Sequence, residues 1–417
     1  MKILILNTQS INHNNATGIT LRSLFNSFDA GDLYEIYLQP CKQAADALSF
    51  RSERLSPFAC PFRYVANKFM KGGGADGTSS ASTNKKKRVG LKTVAAMLLD
   101  YEPIFITPKL IKKIRAFAPD CIYTLGSGID TMKLVYRLSK KLGVPIVPHF
   151  MDNWSASHRF GPDLFPMHLR STQKWLKKMY SRSGCGITIS EKMADEYEKR
   201  WNKKHYALMN TVSVADFRCT VDYGKKISTF VYAGGLHLNR YKSLLDIARA
   251  IEQCNKERGS DLSLQVYTDE KSRQLYGAML SECSSVKINP YVDHSEIKNL
   301  YEKSDALIHI ETFDEEYREF IRYSLSTKIS EYLATGKPIL LYAPEDIFVY
   351  EYLKANNAAL TACSCDGVLD AVYKMTNDFN VEFYSRQATS LAEQKHDAGH
   401  SAQLFGRALS HGISGRE

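Results

Sequence analysis

At 417 residues the chain exceeds one ordinary core, and about two to three domains are expected. Hydrophobic residues at 44% and charged residues at 24% exclude a wholly disordered, collagen-like or coiled-coil protein. The formal net charge is +10, and no run approaches the roughly 18 apolar residues of a membrane span, so a cytoplasmic protein is expected.

Residues 3–6 are a short apolar run after Met-Lys, too short for a signal-peptide core, and read as a first buried strand. A polar stretch leads to Gly18, and helical periodicity begins at Ile19, Leu21, Leu24 and Phe25. A strand follows at 34–37. Residues 72–84 (GGGADGTSSASTN) are low-complexity and predict a disordered, basic insertion over about 71–90. The pattern then gives a strand at 121–124, a helix at 131–142 stopped by Gly143, and a strand at 144–147. A helix at 171–181, a strand at 186–189 and a helix capped by Ser190 complete this half. Residues 207–226 are looser and mark the boundary. Alternation resumes with strands at 229–232, 262–267, 286–288, 306–310 and 339–342, and helices at 243–251 and 326–334. Asp293 and Glu296 read as a capping box. The expected organisation is α/β: an N-terminal Rossmann-like domain at 1–212, a second at 213–385, and a helical segment at 386–417 packing back toward the first. Two doubly wound parallel sheets facing across a cleft would bind ligands at the carboxyl ends of their strands.

Charge and cysteine are unevenly informative. Residues 61–120 hold twelve basic against four acidic side chains, so this segment carries eight of the ten excess positive charges. Phe69, Val94, Met97, Leu98 and Leu99 are interleaved with its lysines, which suits an anionic membrane surface; a solvated loop beside an ordinary helix face suits the same pattern. No nucleic-acid-binding signature accompanies the charge, and no nucleic-acid partner is expected. The nine cysteines are scattered, which suits reduced buried thiols better than a zinc site.

Two segments carry chemistry. The stretch 324–340 (SLSTKISEYLATGKPIL) is a helix whose first turn, at Ser326, Thr327 and Lys328, offers free backbone N–H groups to an anion. Glu331 stands three residues beyond Lys328 and suits the two hydroxyls of a ribose; the pair also suits a surface ion pair of a few tenths of a kcal/mol. The stretch 232–244 (YAGGLHLNRYKSL) enters a turn at Gly234 and Gly235, followed by Arg240 and Lys242, and a guanidinium matches two phosphate oxygens.

These segments, with the loop at Gly18, HFMDNW at 149–154, ITISE at 187–191 and PYVD at 290–293, resemble a GT-B glycosyltransferase, similar to glycosyltransferase family four of bacterial surface-polysaccharide assembly. The resemblance spans nearly the whole chain. It implies a glycosyltransferase moving a hexosyl group from a nucleoside-diphosphate sugar to a lipid-linked or polysaccharide acceptor, retaining and without metal or other cofactor. Glu331 would then hold the ribose, while Arg240 and Lys328 neutralise the diphosphate with Gly234, Gly235, Ser326, Thr327 and Lys242 about it. Tyr291 and Val292 would meet the base, and Gly18 would admit phosphate or sugar. Asp152 would lie near the donor sugar or acceptor; if the enzyme inverts, Asp152 or His149 is the candidate base. A histidine beside a strand also suits a purely structural role.

The chain departs from the family in two places. Tyr323 stands eight positions before Glu331, where a carboxylate is usual, and Gly235 replaces the arginine of the phosphate turn. Glu311, Asp314, Glu315, Glu316 and Glu319 lie nearby and read as a solvated loop. The chain holds no D-x-D pair. The remaining alternatives are a sugar-nucleotide epimerase or hydrolase of the same fold, and a non-catalytic protein that binds anions or the inner face of the cytoplasmic membrane.

Overall fold

The computed structural model describes residues 1–56, 59, 99–153 and 166–415. The low-complexity insertion, its basic cluster and Trp154 lie outside the described residues. The chain divides into two compact units, Met1–Met209 with Ser401–Glu417, and Asn210–His400. The helix Val381–Lys395 stays in the second unit, where it packs on the helix Thr327–Thr335; the chain returns to the first unit from Ser401, within the helix Ala398–Ser414.

The first unit is built on seven parallel strands in the order β3-β2-β1-β4-β5-β6-β7. They are β1 (Ile3–Asn7), β2 (Leu33–Tyr37), β3 (Arg51–Arg54), β4 (Cys121–Thr124), β5 (Ile146–Phe150), β6 (Gly186–Thr188) and β7 (His205–Ala207). Parallel strands covered on both faces read as apolar runs, and β1, β4 and β5 are buried along their whole lengths. Ile3 pairs in register with Leu33 on one side and Cys121 on the other. The returning helix brings Phe405 to 5.1 Å from the Phe25 ring and 5.7 Å from the Tyr123 ring, both edge-on. Local signals set the helix ends: Ser190 accepts from Met193 N, and Gly143 takes the left-handed conformation after Ile129–Leu142.

The second unit has six parallel strands in the order β10-β9-β8-β11-β12-β13. They are β8 (Thr229–Ala233), β9 (Ser263–Thr268), β10 (Val286–Pro290), β11 (Ala306–Ile310), β12 (Ile339–Tyr342) and β13 (Leu360–Ala362). From β8 the chain winds outward through β9 and β10, then returns to β11 and winds the other way. The carboxyl ends of β8 and β11 therefore flank a topological switch point, where open α/β sheets have their crevice. The opposite ends of the same two strands are tied by Asp305, whose carboxylate accepts from Ser228 N at 3.1 Å and Thr229 N at 3.0 Å.

Three expectations are corrected. The strand expected at 144–147 runs instead over Ile146–Phe150, which draws His149 into the sheet. Asp293 makes no side-chain cap bond, because a tight turn at His294–Glu296 precedes the helix Ile297–Glu302. Part of the acidic loop is the helix Glu315–Ile321. Among the described residues no helix is long and apolar enough to cross a membrane.

Candidate functional site

Most of the candidate side chains gather at the switch point of the second unit. β8 delivers Gly234 and Gly235, and the turn closes through Leu238 and Asn239 at φ 57° and 60° before the helix Arg240–Arg258. A Cβ at Gly234 would stand 1.8 Å from Lys328 Nζ, so any larger residue there would displace the tip of the lysine. The lysine thus fills the space the glycine leaves, with its ammonium 5.3 Å from the Tyr232 ring centroid. The Tyr232 hydroxyl donates to Gly235 O at 2.8 Å and holds the turn down.

β11 delivers His309 and Glu311. Glu311 is 5% exposed, so the reading of it as a solvated residue is overturned. Arg240 donates to its Oε2 from Nε at 2.9 Å and from Nη2 at 2.7 Å, and His309 Nε2 lies 3.2 Å from Oε1. Burial alone would raise the Glu311 carboxyl, but Arg240 and His309 hold it down to about 2. Arg240 is therefore committed to an internal counter-ion, with Nη1 3.0 Å from His237 Nε2. Lys242 is also spoken for, 2.9 Å from both oxygens of Asp314.

Lys328 differs. Half-buried in the first turn of Thr327–Thr335, it makes no ion pair among the described residues. Burial, and then repulsion by Arg240, pull its ammonium down to about 8, against attraction from Glu311 and Glu331. Ser326 caps the same helix and accepts from Lys328 N at 3.4 Å. The switch point therefore holds one paired guanidinium, one ammonium without an ion pair among the described residues and a helix N-terminus, an arrangement suited to an anion.

Glu331 lies one turn further along the helix, 9% exposed. It does not pair with Lys328. Its Oε2 accepts from the Tyr301 hydroxyl at 3.0 Å and its Oε1 lies 3.1 Å from His294 Nε2. Tyr291, just beyond β10, is 63% exposed, and Val292 beside it is half-buried. Tyr323, eight positions before Glu331, is packed away from solvent.

The first-unit candidates fare differently. His149 is fully enclosed in β5, its Nδ1 2.7 Å from the Tyr123 hydroxyl, and burial drives the ring down to about 3. It is a neutral core residue, which removes the geometric ground for a catalytic base. Asp152 follows β5 by two residues and is half-buried. Gly18 sits in the helix Ala16–Phe25, where a Cβ would stand 2.0 Å from His13 O, so its bare backbone serves the chain's own loop. Among the described residues no group of three or more His, Cys, Asp and Glu side chains is arranged to hold a metal ion.

Sequence reasoning missed His237, His294, Tyr301, His309 and the role of Glu311. The available signal was the alternation in IHIE at 308–311: His309 and Glu311 share one face at the end of an otherwise apolar strand.

No protein-family model and no curated protein matches the chain. Solved structures do match. They include TarM, at a TM-score of 0.62 and 9% identity over 98% of this chain and 99% of that one. The lipopolysaccharide outer core galactosyltransferase WaaB in its apo form matches at 0.59 and 11%, over 98% and 99% of the two chains. A putative UDP-N-acetylglucosamine 2-epimerase from Listeria monocytogenes matches at 0.51 and 10%, over 98% and 96%. Identities this low establish a shared fold and nothing finer. The fold is that of the GT-B glycosyltransferases, two Rossmann-like parallel α/β units, as the sequence predicts.

Proposed function

We propose that the chain is a glycosyltransferase of the family-four type, moving a hexosyl group from a nucleoside-diphosphate sugar to a lipid-linked or polysaccharide acceptor. The observation that carries this reading is the Lys328 ammonium, seated against Gly234 at the switch point without a counter-ion among the described residues, one turn before a buried carboxylate. An anion completes that charge balance. In the reading, the diphosphate lies against Lys328 and the N-terminus of Thr327–Thr335, and Glu331 accepts from the ribose hydroxyls in place of His294.

The chemistry then follows. Cleaving the glycosidic bond to the diphosphate builds negative charge on the leaving oxygen, and fixed cations and N–H groups stabilise it. Lys328 supplies that charge from its side chain, and Arg240, whose own charge is balanced by Glu311, adds N–H donors, which supports metal-independent transfer. Retention follows if a diphosphate oxygen takes the acceptor proton, and this needs no protein base; the enclosure of His149 agrees. Asp152 is assigned to the transferred sugar or the acceptor.

An epimerase reading needs paired carboxylates free for acid–base work. Glu311 is held by Arg240 and His309, and Glu331 by Tyr301 and His294, so the transferase is favoured. The setting we assign is the inner face of the cytoplasmic membrane, in bacterial surface-polysaccharide assembly, with the basic segment at 61–120 as the contact. The test is a thermal-shift screen against uridine, guanosine, cytidine, adenosine and thymidine diphosphates, because a ligand of the native state raises its melting point. No shift with any of the five would remove the donor site.

A further inference from the structure

We propose that His237 is a phosphate-binding residue of this site, presenting its Nδ1–H to the diphosphate beside Lys328 and Arg240; the inference rests on the nucleotide-sugar reading above. The tautomer follows from the contact with Arg240. A guanidinium only donates, so the Arg240 Nη1 contact at 3.0 Å requires a lone pair on His237 Nε2, and the ring proton then sits on Nδ1.

The position of that proton is equally specific. Nδ1 stands 2.9 Å from where a Cβ of Gly235 would be, so the imidazole lies over the second glycine of the turn and fills the volume a side chain at 235 would take. Among the described residues Nδ1 makes no hydrogen bond. The two carboxylates nearest in electrostatic terms are engaged elsewhere: Glu311 by Arg240 and His309, and Asp269 by Ser272 N at 2.9 Å and Ser272 Oγ at 2.6 Å. His237 is exposed to solvent, and the desolvation of its ring by the turn, with Arg240 and Lys328 beside it, lowers the ring from its ordinary value, in keeping with an unprotonated Nε2 at the Arg240 contact. The result is a neutral donor fixed beside two cations at the switch point. A diphosphate seated at the turn gains from it one further directed hydrogen bond.

The test uses the full chain, titrated calorimetrically with the five nucleoside diphosphates and with the matching phosphate-free nucleosides. His237→Leu is expected to weaken the diphosphate that binds wild type about ten-fold, the range for a hydrogen bond to a charged group, and to leave the nucleoside unchanged. His237→Asn, whose amide nitrogen reaches the Nδ1 place, should recover most of the loss. Equal diphosphate affinity in wild type and H237L overturns the inference while leaving the donor site standing. So does a loss shared equally by diphosphate and nucleoside, which would mark a disturbed turn. If wild type binds none of the diphosphates, the donor-site reading falls and takes this one with it.

Discussion

Glu311→Gln keeps the shape of the side chain and removes its charge, leaving Arg240 without a counter-ion in a site where the glutamate side chain is 6% and the arginine side chain 16% exposed. The structure sets the scale. The carboxyl is held down from 4.5 to about 2, and at about 1.4 kcal/mol per pKa unit the ionised form contributes on the order of 3 kcal/mol. For a unit of this size each kcal/mol moves the melting point by roughly 2–4 °C, so the variant should unfold about 6–12 °C lower at pH 7. Because the folded-state value lies below the unfolded one, the stabilisation is complete above about pH 5 and is lost as pH falls toward 2. The gap between wild type and variant should therefore shrink by roughly half near pH 3. Scanning calorimetry of the full chain at pH 7 and pH 3 reads both quantities. Equal melting at pH 7, or a gap that persists undiminished at pH 3, would refute the paired-charge account.

Glu331→Ala should lower nucleoside diphosphate affinity at least about ten-fold by removing the acceptor for two hydroxyls, with the circular dichroism spectrum unchanged; undiminished affinity by calorimetry would count against the ribose assignment. Lys328 must carry its proton to hold a phosphate, and it loses that proton near pH 8. Diphosphate affinity is thus expected to be flat up to about pH 8 and to fall above it, while Lys328→Met should bind weakly with no such dependence; a flat wild-type profile to pH 9 would sink the assignment. Neutralising Lys85, Lys86, Lys87 and Arg88 should reduce binding to anionic vesicles and spare donor binding. Equal partition onto anionic and neutral vesicles would end the electrostatic anchoring idea.

The alternation of strands and helices was legible because parallel strands buried on both faces must be apolar runs, as in ILIL at 3–6 and ALIHI at 306–310. β3 was not, since RSER at 51–54 lies at the sheet edge and its side chains carry no burial signal. Glu331, Lys328 and Gly234 stood out as candidates because helix start, glycine turn and charge lie within single short segments. What escaped was pairing across distance. Arg240 and Glu311 are 71 residues apart and meet only because β8 and β11 are neighbours in the sheet. For the same reason an acidic stretch that is polar in composition hid one carboxylate that the fold encloses.

The order of the chain in the first unit bears on how it is made. The second unit, Asn210–His400, is threaded into the first, so it can leave the ribosome and fold while its host still lacks Phe405, Ala408 and Leu409. Until those three emerge, the side of the host sheet lined by Phe25 and Tyr123 stays uncovered in the nascent protein. A translation stop shortly before Ser401 would release a polypeptide with a finished second unit and a sticky, half-built companion, a natural target for chaperones and proteases.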